Sequence, residues 1–359
     1  MNPFLYGKKL DLVDFGDIKL LMFRDDNLYE NMVSEDRKNR DLHEHFIEVA
    51  KNGYSKSLAH PDNIQTTLDP RLGLFVYMRH LWKNNIDFTV LDIGSHIGDF
   101  SIKAASFART FKKKPQIIAF DPTPAGALVE YNARINGVQD CVRHENLAIS
   151  DINGLIKFRA VKGHSDSPSA FDKAPPRGIK GKLDNFLKSK NKIKTLANFF
   201  SRFFDKLTKG DQSYEFIARS VRISDYLKDN GITGNLFVKI DIEGLDACVI
   251  RDLQKRSESN LVAIVMEFAP GDFPSLEAAA GMLRELGSSF IIYDIYYSPN
   301  LVLFERVNQG TEDGFAQKID KKREYRYTDL LLIPKTTPEL DPLLKRLDSF
   351  QKLKEEYTL

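Results

Sequence analysis

The chain has 359 residues, 42% of them hydrophobic, with a formal net charge of +2 and two cysteines. That length holds one large α/β domain with extensions, or two small domains, around a substantial core. The near-balanced charge gives no reason to invoke a nucleic-acid partner, Cys141 and Cys248 sit in unrelated apolar stretches and frame neither a disulfide nor a metal pair, and no apolar run approaches the about twenty residues of a membrane span.

Residues 1–84 are mixed and read as an N-terminal cap or extension. Ile18–Phe23 is predicted as a strand and the charged Glu35–Asn52 as a helix. Met1–Lys9 lacks a basic-then-apolar signal pattern, and the cysteine usage fits a reducing compartment, so a cytoplasmic protein is expected. From Phe88 the rhythm becomes regular. A buried strand at Val90–Ile93 breaks at Gly94 and runs into a helix at Asp99–Phe111. A second apolar strand, Gln116–Phe120, ends on Asp121. Thr123 is placed to cap a helix with Pro124 in its first turn, and the helix stops at Gly137. Val142–Ile149 is the next strand, and Asn153-Gly154 signals a two-residue hairpin into Leu155–Phe158.

Gly163–Ser169 and Pro175–Gly178 read as loop. They open an insertion over about 162–215 whose basic run, Lys180 to Lys209, interleaves leucines and phenylalanines at helical spacing. Afterwards Ser224 is predicted to cap a helix through Lys228. Leu236–Asp241 is a buried strand followed by a helix after Gly244, and Leu261–Phe268 is another buried strand. Ser275–Leu286 is an amphipathic helix ending at Gly287. Phe290–Ile295, Leu301–Val307 and Asp329–Ile333 close the domain, and 336–359 form a charged helical tail. Strands alternating with helices predict a Rossmann-like α/β fold. The expected sheet is mostly parallel and seven-stranded, with an antiparallel edge and helices on both faces.

The turn after the first core strand narrows the ligand. A dinucleotide fingerprint needs G-x-G-x-x-G, but from Gly94 the second position is His96 and the third is Asp99. The pattern present, acid-x-Gly-x-x-x-Gly from Asp92 to Gly98, suits an adenosine ligand without phosphate. S-adenosylmethionine (SAM) is such a ligand, and its ammonium and sulfonium groups favour a carboxylate such as Asp92. Asp121 falls where an acid binds ribose hydroxyls.

Five segments in order resemble the FkbM-type family of SAM-dependent methyltransferases. They are Leu91–Gly98, Ala119–Pro124, Asn146–Ser150, Val238–Gly244 and Ile264–Glu267, and the resemblance covers about residues 85–335. Lys239-Ile240-Asp241-Ile242-Glu243-Gly244 is its most family-specific part. The family often carries Glu where this chain has Asp121 and Asp246, changes that keep the charge. The resemblance implies the class I methyltransferase fold, SAM as cofactor, and Asp92, Gly94, Ser95, His96, Gly98, Asp121, Pro122 and Ala148 as cofactor-binding residues.

Methyl transfer to a hydroxyl needs alignment, exclusion of water and a base for the hydroxyl proton. Asp241 and Glu243 follow a buried strand predicted to lie beside the glycine-turn strand, and ligands bind at such strand ends. One is expected to act as base and the other to orient the acceptor, with Glu267 at the next strand end as a third candidate. The same acids would also serve as helix caps. His96 is read as lining the pocket edge and His164 as a loop residue. His144 and Glu145 are adjacent on a strand and face opposite ways, so they make no metal pair. No metal is assigned, although Asp241, Glu243 and Glu267 leave a carboxylate-only magnesium site open.

The expected acceptor is a sugar hydroxyl in a glycan. The alternatives are a secondary-metabolite hydroxyl and a non-catalytic role as an interaction protein. An amino-methylating nucleic-acid enzyme would carry Asn/Asp-Pro-Pro-aromatic where Asp241-Ile242-Glu243-Gly244 stands, so no nucleic acid is expected. The basic segment 180–209 reads either as an insertion packed on the domain or as an amphipathic helix giving peripheral membrane contact. Oligomeric state and the identity of the acceptor are not legible.

Overall fold

The computed structural model describes residues 4–5, 8–14, 18–23, 71–161, 164–170, 213–242, 245–255, 259–298, 301–322 and 327–336. The predicted helix at 35–52, the segment 180–209, Glu243 with Gly244, and the tail from 337 lie outside the described residues.

Strands β1 (Phe4–Leu5), β2 (Lys8–Asp14) and β3 (Lys19–Phe23) form a small antiparallel sheet. Helix α1 (Arg71–Lys83) leads into β4 (Thr89–Ile93), α2 (Asp99–Thr110), β5 (Ile117–Phe120), α3 (Leu128–Ile135) and β6 (Val142–Glu145). A four-stranded sheet follows, from β7 (Ala148–Ile149), β8 (Gly154–Val161), β9 (His164–Ala170) and β10 (Ser213–Val221). The chain then returns to the main sheet. Its last elements are α4 (Ile223–Asp229), β11 (Gly234–Ile240), α5 (Asp246–Gln254), β12 (Ser259–Phe268), α6 (Leu276–Ser289), β13 (Phe290–Ser298), β14 (Leu301–Val307), α7 (Glu312–Lys322) and β15 (Thr328–Pro334).

The main sheet has the order β14-β13-β15-β12-β11-β4-β5-β6. The five strands from β12 to β6 are parallel, and β15 and β14 run the other way. The architecture is the expected α/β fold with two differences. There are eight strands rather than seven, because β14 folds back on β13. The expected antiparallel edge is β14, paired with β13, and a second antiparallel strand, β15, lies in the interior, where Leu330–Ile333 are fully buried. Side chains alternate between two cores. Val90, Ile117, Phe237 and Ala263 face α1, α2 and α3. Leu91, Ile118, Val238 and Ile264 face α4, α5, α6 and α7. The Tyr77 hydroxyl of α1 donates to the Val262 carbonyl of β12 at 2.8 Å, fixing that helix over the sheet.

The N-terminal sheet is anchored by side chains that imitate a strand partner. Asn132 Oδ1 accepts from Leu21 N at 2.6 Å and Asn136 Oδ1 from Lys19 N at 2.7 Å. Asn132 Nδ2 also donates to the Ile97 carbonyl at 2.9 Å, so one buried amide joins β3, α3 and the glycine turn.

Several local expectations change in the tertiary context. Val142–Ile149 divides into β6 and β7, which belong to different sheets. Asn153-Gly154 does not close a hairpin, because β10 lies between β7 and β8. Asn153 is drawn instead to the start of α4, donating to Asp225 at 2.6 Å and accepting from Arg222 N at 2.8 Å. Most of Gly163–Ser169, read as loop, lies in β9, which pairs with β8 as an edge strand where Pro168 is tolerated. The Thr123 hydroxyl turns to Asp121, and α3 begins later, at Leu128. Ser224 lies inside α4 and is itself held by Asp252 of α5, which accepts from its N–H and its hydroxyl at 2.9 Å each. Ser275 does cap α6, accepting from Ala278 N, but that helix runs past Gly287 to Ser289. Helix α7 is an addition to the predicted elements.

Candidate active site

The carboxyl ends of β4, β5 and β11 meet at the turn 94–98. Gly94 and Gly98 both have φ of +81°, and His96 between them has φ of +49°. The left-handed positions curl the chain so that Gly94 N and Ser95 N both donate to the Phe120 carbonyl at 3.0 Å, and Gly98 N donates to Ser95 O at 2.7 Å. Gly94 is glycine for a second reason. A Cβ there would lie 1.9 Å from the Asp241 carbonyl oxygen, so β11 passes directly over the turn. Gly126 plays a similar part where the chain leaves β5. A Cβ there would lie 2.6 Å from Asp121 O and 2.7 Å from His144 Nε2. Sequence reading passed over Gly126, because its reason is a neighbour rather than a backbone angle.

Asp121 is buried and organises the turn. Its Oδ2 accepts from His96 N at 2.7 Å, and its Oδ1 accepts from Thr123 N at 2.8 Å and from the Thr123 hydroxyl. A carboxylate has about four acceptor positions, so Oδ2 keeps one for an incoming hydroxyl. Ser95 is buried beside it, and its Oγ has no hydrogen-bond partner. A cradle that excludes a Cβ, a carboxylate with spare capacity and an orphaned hydroxyl fit an adenosine-bearing cofactor. Pro122 follows Asp121 at the strand end, and Ala148 is buried in β7, across from Ser220 of β10.

Asp92 takes a different place from the one its motif suggests. It is wholly buried, so it presents no surface to a ligand's ammonium or sulfonium. One oxygen accepts from Ser101 Oγ at 2.7 Å, and the other lies 3.4 Å from Lys239 Nζ. Lys239 is the register partner of Asp92 across β4 and β11. Its ammonium also lies 3.1 Å from Asp241 Oδ2 and donates to the Gly94 carbonyl at 3.0 Å. Burial pushes Asp92 above the ordinary carboxylate range, against the pull of Lys239 and Ser101. Burial alone would lower Lys239, but Asp241 and Asp92 outweigh it and hold the ammonium above its usual range.

Asp241 N donates to the Ile93 carbonyl at 2.9 Å, extending the β4–β11 ladder by one residue, while its side chain is half exposed. Register carries the row onward. Ile240 pairs with both Ile93 and Met266, so Gly94, Asp241 and Glu267 occupy one row at the strand ends. Glu267 is half-buried and stands directly opposite Asp329 of β15. Asp241, Glu267 and Asp329 therefore project from one face, two residues beyond the face-sharing Asp92 and Lys239. Lys239 and Asp329 were missed as site residues, because only sheet register brings them there. His144 donates from Nε2 to Asp121 O at 3.0 Å, a structural contact. His164 lies in β9, the edge strand of the four-stranded sheet. Among the described residues no group of His, Cys, Asp or Glu is arranged to hold a metal ion, and no helix is long and apolar enough to cross a membrane.

A family model described as the methyltransferase FkbM domain matches residues 92–290, more than half of the chain and every described segment of the site except Asp329. No curated protein matches the chain in sequence. Among solved structures, an O-methyltransferase from Bacillus cereus in complex with SAH aligns with 8% identity and a TM-score of 0.35, over 80% of this chain and 90% of that one. A precorrin-6y C5,15-methyltransferase from Geobacter metallireducens GS-15 aligns with 11% identity and a TM-score of 0.27, over 72% of this chain and 86% of that one.

Proposed function

The chain belongs to the FkbM methyltransferase family, and from that premise we propose that it moves a methyl group from SAM to a hydroxyl of a sugar in a glycan. The observation that carries the reading is the junction of β4 and β11. There the glycine turn that would cradle the cofactor touches the backbone of Asp241, so a cofactor and a half-exposed carboxylate share one mouth.

The bound cofactor supplies a methyl group already activated on a sulfonium. The remaining work falls to the chain. Asp121 accepts from the ribose hydroxyls with its free Oδ2 position, and the backbone at Gly94–Gly98, with the Ser95 hydroxyl, closes around the nucleoside. Asp92 acts from beneath, through Ser101 and Lys239, rather than by contact. Asp241 takes the proton of the acceptor hydroxyl as it attacks in line. Glu267, one strand further along the same row, accepts from a second hydroxyl and orients the acceptor. Glu243, two residues after Asp241, shares that role. A row of carboxylates suits a polyhydroxylated acceptor, because vicinal hydroxyls each donate to one.

The test compares glycans extracted from cells carrying the wild-type gene, Asp121→Ala or Asp241→Asn, alongside SAM titrations of the purified proteins. Asp121→Ala should weaken SAM binding by about tenfold or more, since a hydrogen bond to a charged group contributes about 1.5–3 kcal/mol. Asp241→Asn should keep SAM binding within about tenfold of wild type but lower methylation by about 10²–10⁴-fold. A single sugar losing its methyl group in both variants supports the acceptor class. Unchanged glycans would remove it and redirect the search to secondary-metabolite hydroxyls.

A further inference from the structure

We infer that Lys239 is a positioning residue, whose ammonium pins the Asp241 carboxylate to the glycine turn. The inference rests on the methyltransferase reading above and adds a residue to it. Lys239 lies in a parallel strand between two neighbours, with its side chain only 16% exposed. Its ammonium donates to Gly94 O at 3.0 Å and lies 3.1 Å from Asp241 Oδ2, while Asp92 Oδ1, 3.4 Å away, pairs with it by charge without a hydrogen bond. Its side chain is largely buried and its two nearest acceptors belong to the turn and to Asp241, so Lys239 acts through what it holds.

The two ends of the bridge differ. Asp92 is fully buried and fixed by Ser101, whereas the Asp241 side chain is 50% exposed at the strand mouth. The rigid end therefore fixes the open one. Stability alone would be served as well by an apolar pair in place of two buried charges. The bond to Gly94 O adds the turn itself, so the acceptor-side carboxylate and the cofactor-side backbone keep one geometry. Asp99, at the start of α2, is the other charged group acting on both Asp92 and Lys239.

The experiment is a SAM titration by calorimetry on wild type, Lys239→Met, Asp241→Asn and the double variant, between about pH 6 and about pH 9. Each single variant should weaken binding by about three- to tenfold, and the double variant should be no worse than either, because one bridge is lost once. Lys239→Met should also change the pH dependence of binding relative to wild type, as the Asp92 carboxyl takes up a proton, and adding Asp92→Asn should remove that difference. Lys239→Arg, which keeps the charge, should keep the wild-type profile. Should Lys239→Met not fold, Asp92→Asn with Lys239→Met removes both buried charges together and carries the same cycle with Asp241→Asn. Effects that multiply, or a Lys239→Met protein with wild-type affinity and pH profile, would overturn the inference. Wild type that fails to bind SAM would instead overturn the methyltransferase reading, and the inference with it.

Discussion

A methyl group at position 94 would sit 1.9 Å from the Asp241 carbonyl and require a backbone φ of +81°. Gly94→Ala thus meets two obstacles at once, a left-handed conformation and a clash with backbone that cannot swing aside. It should cost about 2–4 kcal/mol of stability and reduce SAM affinity more than tenfold, measurable by urea unfolding and titration. Gly98→Ala meets only Val129 side-chain atoms at 3.0 Å or more, at the same φ, so its penalty should be the smaller. The sequence pattern marks both glycines, but it cannot rank them. The rank comes from β11, which arrives some 145 residues later in the chain.

Among elements, the link between β3, α3 and the turn rests on Asn132. Its amide accepts from Leu21 N and donates to the Ile97 carbonyl inside the protein. Asn132→Ala would strand both groups and should cost about 1–3 kcal/mol, with Asn132→Leu no better, because size does not replace the bonds. A second joint lies between α4 and β6. Tyr226 donates to Glu145 at 2.9 Å and accepts from Arg143, and its ring meets Phe120 edge-on at 4.8 Å between centroids. Burial, then the Glu145 carboxylate, push its phenol up to about 12. The unfolded phenol ionises near 10, so above that pH the folded state holds a proton that the unfolded state has released. The stabilisation is complete below about pH 10 and falls away as pH rises to about 12. The urea midpoint of wild type should therefore drop faster than that of Tyr226→Phe across this window. Equal slopes would show that the phenol does not titrate apart from its unfolded value.

For the molecule as a whole, a ligand that binds only the folded state stabilises it by mass action. SAH at about 100 times its Kd should raise the unfolding free energy by about 2.7 kcal/mol, seen as a rise in Tm. Asp121→Ala, binding about tenfold or more weakly, should lose about half or more of that rise at the same SAH concentration while its ligand-free Tm changes less. A rise of equal size in both proteins would place the ligand elsewhere. The two cores on either side of the sheet make the main domain one unit around β4 and β11, so a ligand at their junction should shift a single transition.

Local chemistry was enough to read the strands at 90–93, 117–120 and 236–240, the glycine turn and the acid at 121. Apolar runs of four or five residues, broken at most by one charge and bounded by turn signals, have the length of buried strands, and glycine is the residue that left-handed positions favour. The sequence also named Asp241 and Glu267, since acids ending buried strands must lie at the mouth of a parallel sheet. It could not tell that Asp92 is sealed beneath that mouth, because exposure depends on Lys239 and Ser101 arriving from other elements. Nor could it deny Asn153-Gly154 its hairpin, since the strand that separates β7 from β8 comes after residue 212. Register and burial are properties of segments distant in sequence, so only the folded chain decides which carboxylates face one another and which one reaches solvent.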